Sequence, residues 1–323
     1  MPLEPDLIDW PYERPKPTGD TQIAQGLKTT FNFRFQPPFA LESDLRQGVD
    51  GAGGFMIGGS ILTSGDGITW SEASTASGFN GGAISESIYV VLGTNYRRSV
   101  DGGGTFSAIA TPPGFTVQKV AFGNSMFVAV GLYRVSYSSD GDSWTDVFAV
   151  GEVQLWDVCY GNGLFVVVGD EGSLHTSADG ISWTAQATPA DGGSRRSQSI
   201  VWTGSYFFSG GRLTDTGGSY NITSPDGYSW SRESSNIDGF GVVSFGASIF
   251  VGALNGGTEI YSSANGTTWT MRQDTGHLVN DIAFANGLFV SCGNSGNIWT
   301  SSDGETWTQR TSPVSSTLQF VTG

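Results

Sequence analysis

An all-β fold built from seven copies of one unit is what the sequence predicts, and three observations carry the prediction. The first is a short turn-forming stretch, Ser301-Ser302-Asp303-Gly304-Glu305-Thr306-Trp307, that recurs upstream. The second is its period: the Asp, or Asn265 in one copy, stands at positions 66, 101, 140, 179, 226, 265 and 303, at intervals of 35, 39, 39, 47, 39 and 38 residues. The third is composition, with 48 glycines in 323 residues, 14% charged residues and no apolar pattern of the period of a long helix. A repeat of this length marks an array of equivalent supersecondary units.

Each copy is expected to be a tight turn between two strands. The Asp accepts hydrogen bonds from backbone N–H groups two residues on, and the following Gly takes a left-handed conformation that a β-carbon disfavours. The Ser and Thr hydroxyls tie down the remaining polar groups. The Trp turns back from the outgoing strand to fill space between units. These roles fall on Asp66 with Trp70, Asp101 with Phe106 in a copy one residue longer, Asp140 with Trp144, and Asp179 with Trp183. They continue with Asp226 and Trp230, Asn265 and Trp269, and Asp303 and Trp307. All of these are structural assignments.

The pattern S-x-D-G-x-[ST]-W resembles the Asp-box (BNR) repeat, over residues 53–323. The resemblance implies a β-propeller of four-stranded blades with the box between the third and fourth strands. Sialidases, photosystem assembly factors, sortilin-like receptors and xyloglucanases carry such boxes, which lie away from the active sites of the enzymes among them. Seven boxes imply a seven-bladed β-propeller, a closed all-β ring of about 40 residues per blade.

Residues 1–52 do not share the repeat and are expected to form an extended arm. Pro2, Pro5, Pro11, Pro15 and Pro17 disfavour regular structure there. Trp10 and Tyr12 lie among these prolines, and Phe31, Phe33 and Phe35 alternate with polar residues as on a half-buried strand. The arm either packs on the ring or docks it onto another protein through these aromatics. The clearest blade is the last, with strands expected at 279–285, 288–292 and 297–301, then the box, then 306–310. A similar order is expected at 117–122, 126–130, 135–137 and 143–147, and again from 153 to 176. The first blade has second, third and fourth strands but no convincing first strand. Residues 317–323 match the missing inner strand, so the C-terminal segment is expected to close the ring and remove its free edges.

The 47-residue interval comes from residues 187–197 and 210–220, both expected on the rim away from the boxes. Arg195, Arg196 and Arg212, with Asp191 and Asp215, are candidates there for holding an anionic or hydroxyl-rich ligand through the Arg fork; solvated loops are the plain reading. Tyr96, Arg97, Tyr133 and Arg134 fall in equivalent loops. For sialidase-like activity, Phe33-Arg34-Phe35-Gln36-Pro37 is a loose echo of the motif that precedes the first box in that family, but an aromatic third position and Gln36 depart from it. Sialidases also have six blades. Asp170, Glu171, Asp215 and Glu259 are possible rim carboxylates that nothing in the sequence pairs for glycoside hydrolysis.

No cofactor or metal is expected, because His175 and His277 are the only histidines and Cys-x-x-Cys is absent. Cys159 and Cys292 lie in apolar strands and are expected to be small buried hydrophobes. A net charge of −15 with three lysines disfavours nucleic-acid partners. No apolar run spans a bilayer, and no leader pattern opens the sequence, so the expectation is a soluble protein without membrane insertion. The expected function is non-enzymatic. The arm, the low lysine content and the Gly/Ser/Thr-rich strands resemble phage virion appendages, with other structural proteins of the assembly, a surface glycan or a host receptor as partners. A glycan-binding lectin or sialidase-like hydrolase is the alternative.

Overall fold

The computed structural model describes residues 54–189 and 194–323, with the backbone alone at 148–152. Trp10, Tyr12, Phe31, Phe33, Phe35 and Asp191 lie outside the described residues, and with them the expected arm.

Strand pairing is antiparallel throughout the sheets and follows chain order, which is what short hairpin connections produce. The second box unit comprises Phe79–Ser85, Ile88–Gly93, Tyr96–Ser99 and Ser107–Ala108; the seventh comprises Val279–Ala285, Leu288–Gly293, Ile298–Ser301 and Thr308–Arg310. The third and fourth units share one six-stranded sheet, where the sequence predicts separate strands. Met126–Ser138 and Thr145–Gly161 run on without a break, because their backbones keep pairing from Thr145↔Tyr137 to Gln154↔Leu132 through two register shifts. Beyond that ribbon Asp157 pairs with Val168, so the fourth blade resumes the common pattern. Counting this sheet as two blades, the described residues form seven.

The inner strands pack side by side in ring order. Val279–Ala285 touches Phe320–Thr322, and Phe320–Thr322 touches Phe79–Ser85. The closing strand pairs with Phe55–Gly58 through Met56↔Thr322, Ile57↔Val321 and Gly58↔Phe320. Closure by the C-terminal strand is therefore as expected, although its three residues are fewer than the seven of Phe79–Ser85. Apolar side chains from neighbouring blades meet between the sheets, as where Val166 and Val168 pack with Ile222 and Tyr220. Burial of this kind is the main stabilising term of the ring.

Six of the seven turns close by the same set of bonds, and in the longer copy Gly103 N–H donates to Ser99 Oγ and Thr105 N–H to Asp101 Oδ1. In the last, Gly304 N–H donates to Ser301 Oγ (2.8 Å), and the N–H groups of Glu305 and Thr306 both donate to Asp303 Oδ1 (2.8 Å each). Asn265 makes the same bonds with Thr267 and Thr268 at 3.0 and 2.9 Å. The Trp does more than fill space: the Trp70 indole N–H donates to Gly67 O, and its ring lies 6.3 Å from Phe55. Gly304 has φ +71°, and a β-carbon there would stand 2.8 Å from Val251 Cγ2 of the preceding blade. The turn thus requires glycine both for its conformation and for blade contact.

Candidate functional site

The direction of each hairpin sorts the loops onto two rims. Inner strands run toward the box rim, where the first-to-second turns also lie; the second-to-third turns and the connections between blades lie on the opposite rim. Phe55 pairs with Ser64 of the first box, so the chain enters the ring at the box rim. Gly323 follows the closing strand and reaches the same rim, where a β-carbon on it would stand 2.8 Å from Phe55.

On the opposite rim, the junction of the third, fourth and fifth blades carries the most developed cluster of side chains. Arg196 Nε and Nη2 donate to Asp170 Oδ1 and Oδ2 at 2.6 and 3.2 Å. The guanidinium lies 4.8 Å from the centre of the Trp156 ring, and the Trp156 indole N–H donates to Asp170 Oδ1 at 2.7 Å. This fork-to-fork pairing with a stacked aromatic fixes all three groups while leaving them partly exposed. Asp170 N–H donates to Gln154 O, and Gln154 pairs with Leu132. Leu132 and Tyr133 are exposed at the tip of the ribbon, and Tyr133 has φ +66°, unusual for a bulky residue.

Of the residues expected on this rim, Arg196 is thus engaged by Asp170 and Trp156. Arg195 lies over the Tyr220 ring at 5.9 Å and donates to Pro189 O, and Arg232 approaches the same ring at 5.7 Å. Arg212 pairs across the strands with Arg196, and its Nε is buried without a partner among the described residues. Asp215 is exposed on the turn that follows. Arg134 pairs with Asp146 at 3.2 Å, Tyr96 donates to Phe115 O, and Arg97 donates to Tyr96 O. Glu171 accepts from Ser194 Oγ, while Glu259 begins a strand of the sixth blade. The structure therefore brings Arg195, Arg196 and Arg212 into one blade, with their guanidinium groups differently committed.

The axis of the ring holds residues that the sequence reading did not single out. Six inner strands carry a bulge near their first residue, and the residue just past it occupies an equivalent place in each: Gly81, Lys119, Asp157, Ser199, Val242 and Asp281. Asp157 Oδ2 accepts from Ile200 N–H (2.8 Å) and Ser199 Oγ (3.2 Å) of the next blade, and its Oδ1 accepts from Val158 N–H. Ser199 Oγ in turn accepts from Val243 N–H at 3.0 Å. Asp281 Oδ2 accepts from Val321 N–H of the closing strand at 3.1 Å, and from Lys119 Nζ at 2.6 Å. Lys119 belongs to the third blade and Asp281 to the seventh, so this ion pair crosses the ring. The signal was the placing of Lys119, Asp157, Ser199 and Asp281 at one position just ahead of four of the apolar runs, visible once the inner strands are aligned by register.

Titration follows these environments. N–H donors from Thr69 and Ile68 lower Asp66 to about 2, and those from Thr306 and Glu305 lower Asp303 to about 2. Burial, followed by the nearby Asp281 carboxylate, pushes the Cys292 thiol well up. Burial lowers His175. Cys159 and Cys292 are both free and buried. Among the described residues, no group of three or more His, Cys, Asp or Glu could hold a metal ion, and no helix is long and apolar enough to cross a membrane.

Comparison with known proteins supports the architecture. The DUF6242 beta propeller domain matches residues 224–323, from the fifth box to the closing strand. A search of curated proteins returned no significant match. Among solved structures, YCF48 bound to D1 peptide superimposes with a TM-score of 0.52 at 18% identity, covering 71% of this chain and 79% of that one. YCF48 from Cyanidioschyzon merolae gives 0.53 at 17% identity, covering 73% and 86%. The computationally designed Ika8 protein gives 0.55 at 11% identity, covering 86% and 93%. What the chain shares with these structures is the β-propeller fold.

Proposed function

We propose that this propeller is a non-enzymatic binding module, held from its box rim and presenting the opposite rim to a partner protein. The observation that carries the reading is the separation of the two faces. Residues 54 and 323 lie at the box rim, whereas the Trp156–Asp170–Arg196 cluster and the exposed Leu132 and Tyr133 lie on the other. Tyr, Trp and Arg are the residues that most often dominate protein contacts, and here the Trp and Arg are already held in place. A β-propeller structure with a bound peptide, that of YCF48, is compatible with such a use of the fold.

In the finer reading, the arm of residues 1–52 anchors the ring to other proteins of a virion appendage, and the free rim meets a host surface. The composition and the arm noted above support it. Affinity purification of the full chain from its native source, with mass spectrometry, tests both parts. Virion structural proteins lost on removing residues 1–52, and a separate partner lost from a Tyr133→Ala/Trp156→Ala variant, are the expected results. Recovery of the same proteins with every variant overturns the assignment of the rim. A lectin is the second reading, favoured by the partly exposed Trp156 beside a polar Arg–Asp pair. It predicts saturable glycan binding by the wild type that the Trp156→Ala change abolishes.

A further inference from the structure

The seam between the fifth and sixth blades, at the rim opposite the boxes, buries two side-chain donors without acceptors. Arg212 Nε and Asn221 Nδ2 have no hydrogen-bond partner among the described residues, and Asn221 is 0% exposed. Buried polar groups are nearly always paired, so two orphans on one seam call for a physical cause. The strands bring them together. Tyr220 and Ile222 pack toward the fourth blade, so Asn221 between them points at the sixth. The pairings Ser209↔Ile222 and Arg212↔Ser219 place Gly210 opposite Asn221, with Arg212 two residues further along the same face. That face looks onto the sixth blade. A β-carbon on Gly210 would stand 3.0 Å from Val243 Cγ2, and one on Gly239 would stand 3.8 Å from Arg212 Cβ. Diagonal neighbours on paired strands lie about 7–8 Å apart, within reach of a long side chain, and Gly210 puts no side chain between them.

The chemistry of the two groups defines what they lack. Asn221 Oδ1 accepts from Gly211 N–H at 3.4 Å, which fixes the amide and leaves Nδ2 as the donor. Nearby carboxylates are engaged elsewhere. Glu233 pairs with Asn221 across the strands but accepts from Thr223 Oγ1 at 3.0 Å and Ser231 Oγ at 3.5 Å. Asp238 accepts from Ser219 N–H at 2.8 Å. Neither bonds to Arg212 Nε, whereas Arg196 is held by Asp170 and Arg134 by Asp146. The Nε edge of a guanidinium presents two parallel N–H groups that match the two oxygens of a carboxylate. The Asn221 amide adds a third donor. Arg212 is partly exposed, so the notch opens to solvent at the rim. At contact distance its charge outweighs the screened net charge of −15 carried by the whole chain.

We propose that Arg212 and Asn221 form a carboxylate-binding site in this seam, filled by a small free acid or by an acidic side chain of a protein at the rim. The site uses none of Tyr133, Trp156, Asp170 or Arg196, so it stands or falls apart from the partner surface proposed above. The test is a nuclear magnetic resonance titration of the full chain with sodium acetate, reading the Arg212 Nε–H and Asn221 Nδ2–H signals. Acetamide serves as the neutral molecule of the same shape and sodium chloride as the ionic control. Acetate is expected to shift both signals along one saturable curve, and acetamide and chloride to shift neither. Arg212→Lys keeps the charge without the fork, and is expected to weaken acetate by roughly fivefold or more. Asn221→Asp keeps an acceptor for Gly211 N–H and fills the site with its own carboxylate, so acetate binding is expected to vanish while the rest of the spectrum is preserved. If the capped peptide acetyl-Gly-Asp-Gly amide binds about tenfold tighter than acetate, by about 1.4 kcal/mol, an acidic side chain is the occupant; if it does not, the occupant is a free acid. Absence of a saturable acetate shift, or an equal response to chloride, leaves hydration only and overturns the proposal. So does unchanged acetate affinity in a folded Arg212→Lys or Asn221→Asp protein.

Discussion

Asp157 and Asp281 stand at the same point of the repeat, yet the two seams they close are built differently. Asp157 accepts from uncharged groups of its own blade and the next one: Val158 N–H, Ile200 N–H and Ser199 Oγ. Asp281 takes one N–H from the closing strand and one ammonium from across the ring. The first seam joins long neighbouring strands, whereas the second holds a strand of three residues. The repeat supplies the position of the carboxylate, and the partner available at that point of the ring decides what it does. Where backbone pairing is short, a buried charge takes over part of the joining.

The largest effect is expected from Asp281→Ala, which leaves Lys119 without its carboxylate and Val321 N–H without its acceptor. Breaking a buried pair by removing one partner costs about 3–5 kcal/mol, and denaturant unfolding measures it. The double change Lys119→Met/Asp281→Leu is expected to recover much of that loss, because apolar groups of similar volume replace buried pairs at little net cost. If the double variant is as unstable as Asp281→Ala, the Val321 bond rather than the ion pair holds the seam. Asp157→Ala comes next, at about 2–3 kcal/mol for lost hydrogen bonds to a charged acceptor. A larger loss there than for Asp281→Ala would reverse the comparison.

Gly304→Ala tests a seam of the third kind, where a box turn rests on the preceding blade. The left-handed conformation alone costs an alanine about 1–2 kcal/mol, and the close approach to Val251 adds to it.

The smallest effect separates the sixth box from the others. Asp303 has a folded pKa of about 2, below its unfolded value. Its contribution is therefore complete above roughly pH 4 and is lost as the pH falls toward 2. Asn265 makes the same bonds without a charge to titrate. Asn265→Asp is expected to steepen the fall of the melting temperature between pH 4 and 2, and Asp303→Asn to flatten it. Parallel curves would show that the box carboxylates are held equally in the unfolded chain.

Much of the architecture was legible because it is written in local chemistry. Ser, Asp, Gly and Trp at fixed offsets form a turn whose bonds close within a few residues, so seven copies could be counted before any contact was known. The missing first strand and the spare strand at 317–323 followed from the same count. The continuity of Met126–Ser138 and of Thr145–Gly161 did not, because residues 131–134 and 148–152, which join the expected strands, carry no strand signature of their own.

The candidate site was legible only in part. The long interval pointed to Arg195, Arg196 and Arg212, but not to Trp156 and Asp170, which meet Arg196 from 40 and 26 residues away in sequence. Nothing local marks Lys119 and Asp281 as partners either, since they are 162 residues apart. The sequence by itself determined the repeat, its turns and the order of the strands, because those depend on hydrogen bonds between near neighbours. The tertiary structure alone decided which charges meet across the ring and which side chains share a rim, because closure sets those distances.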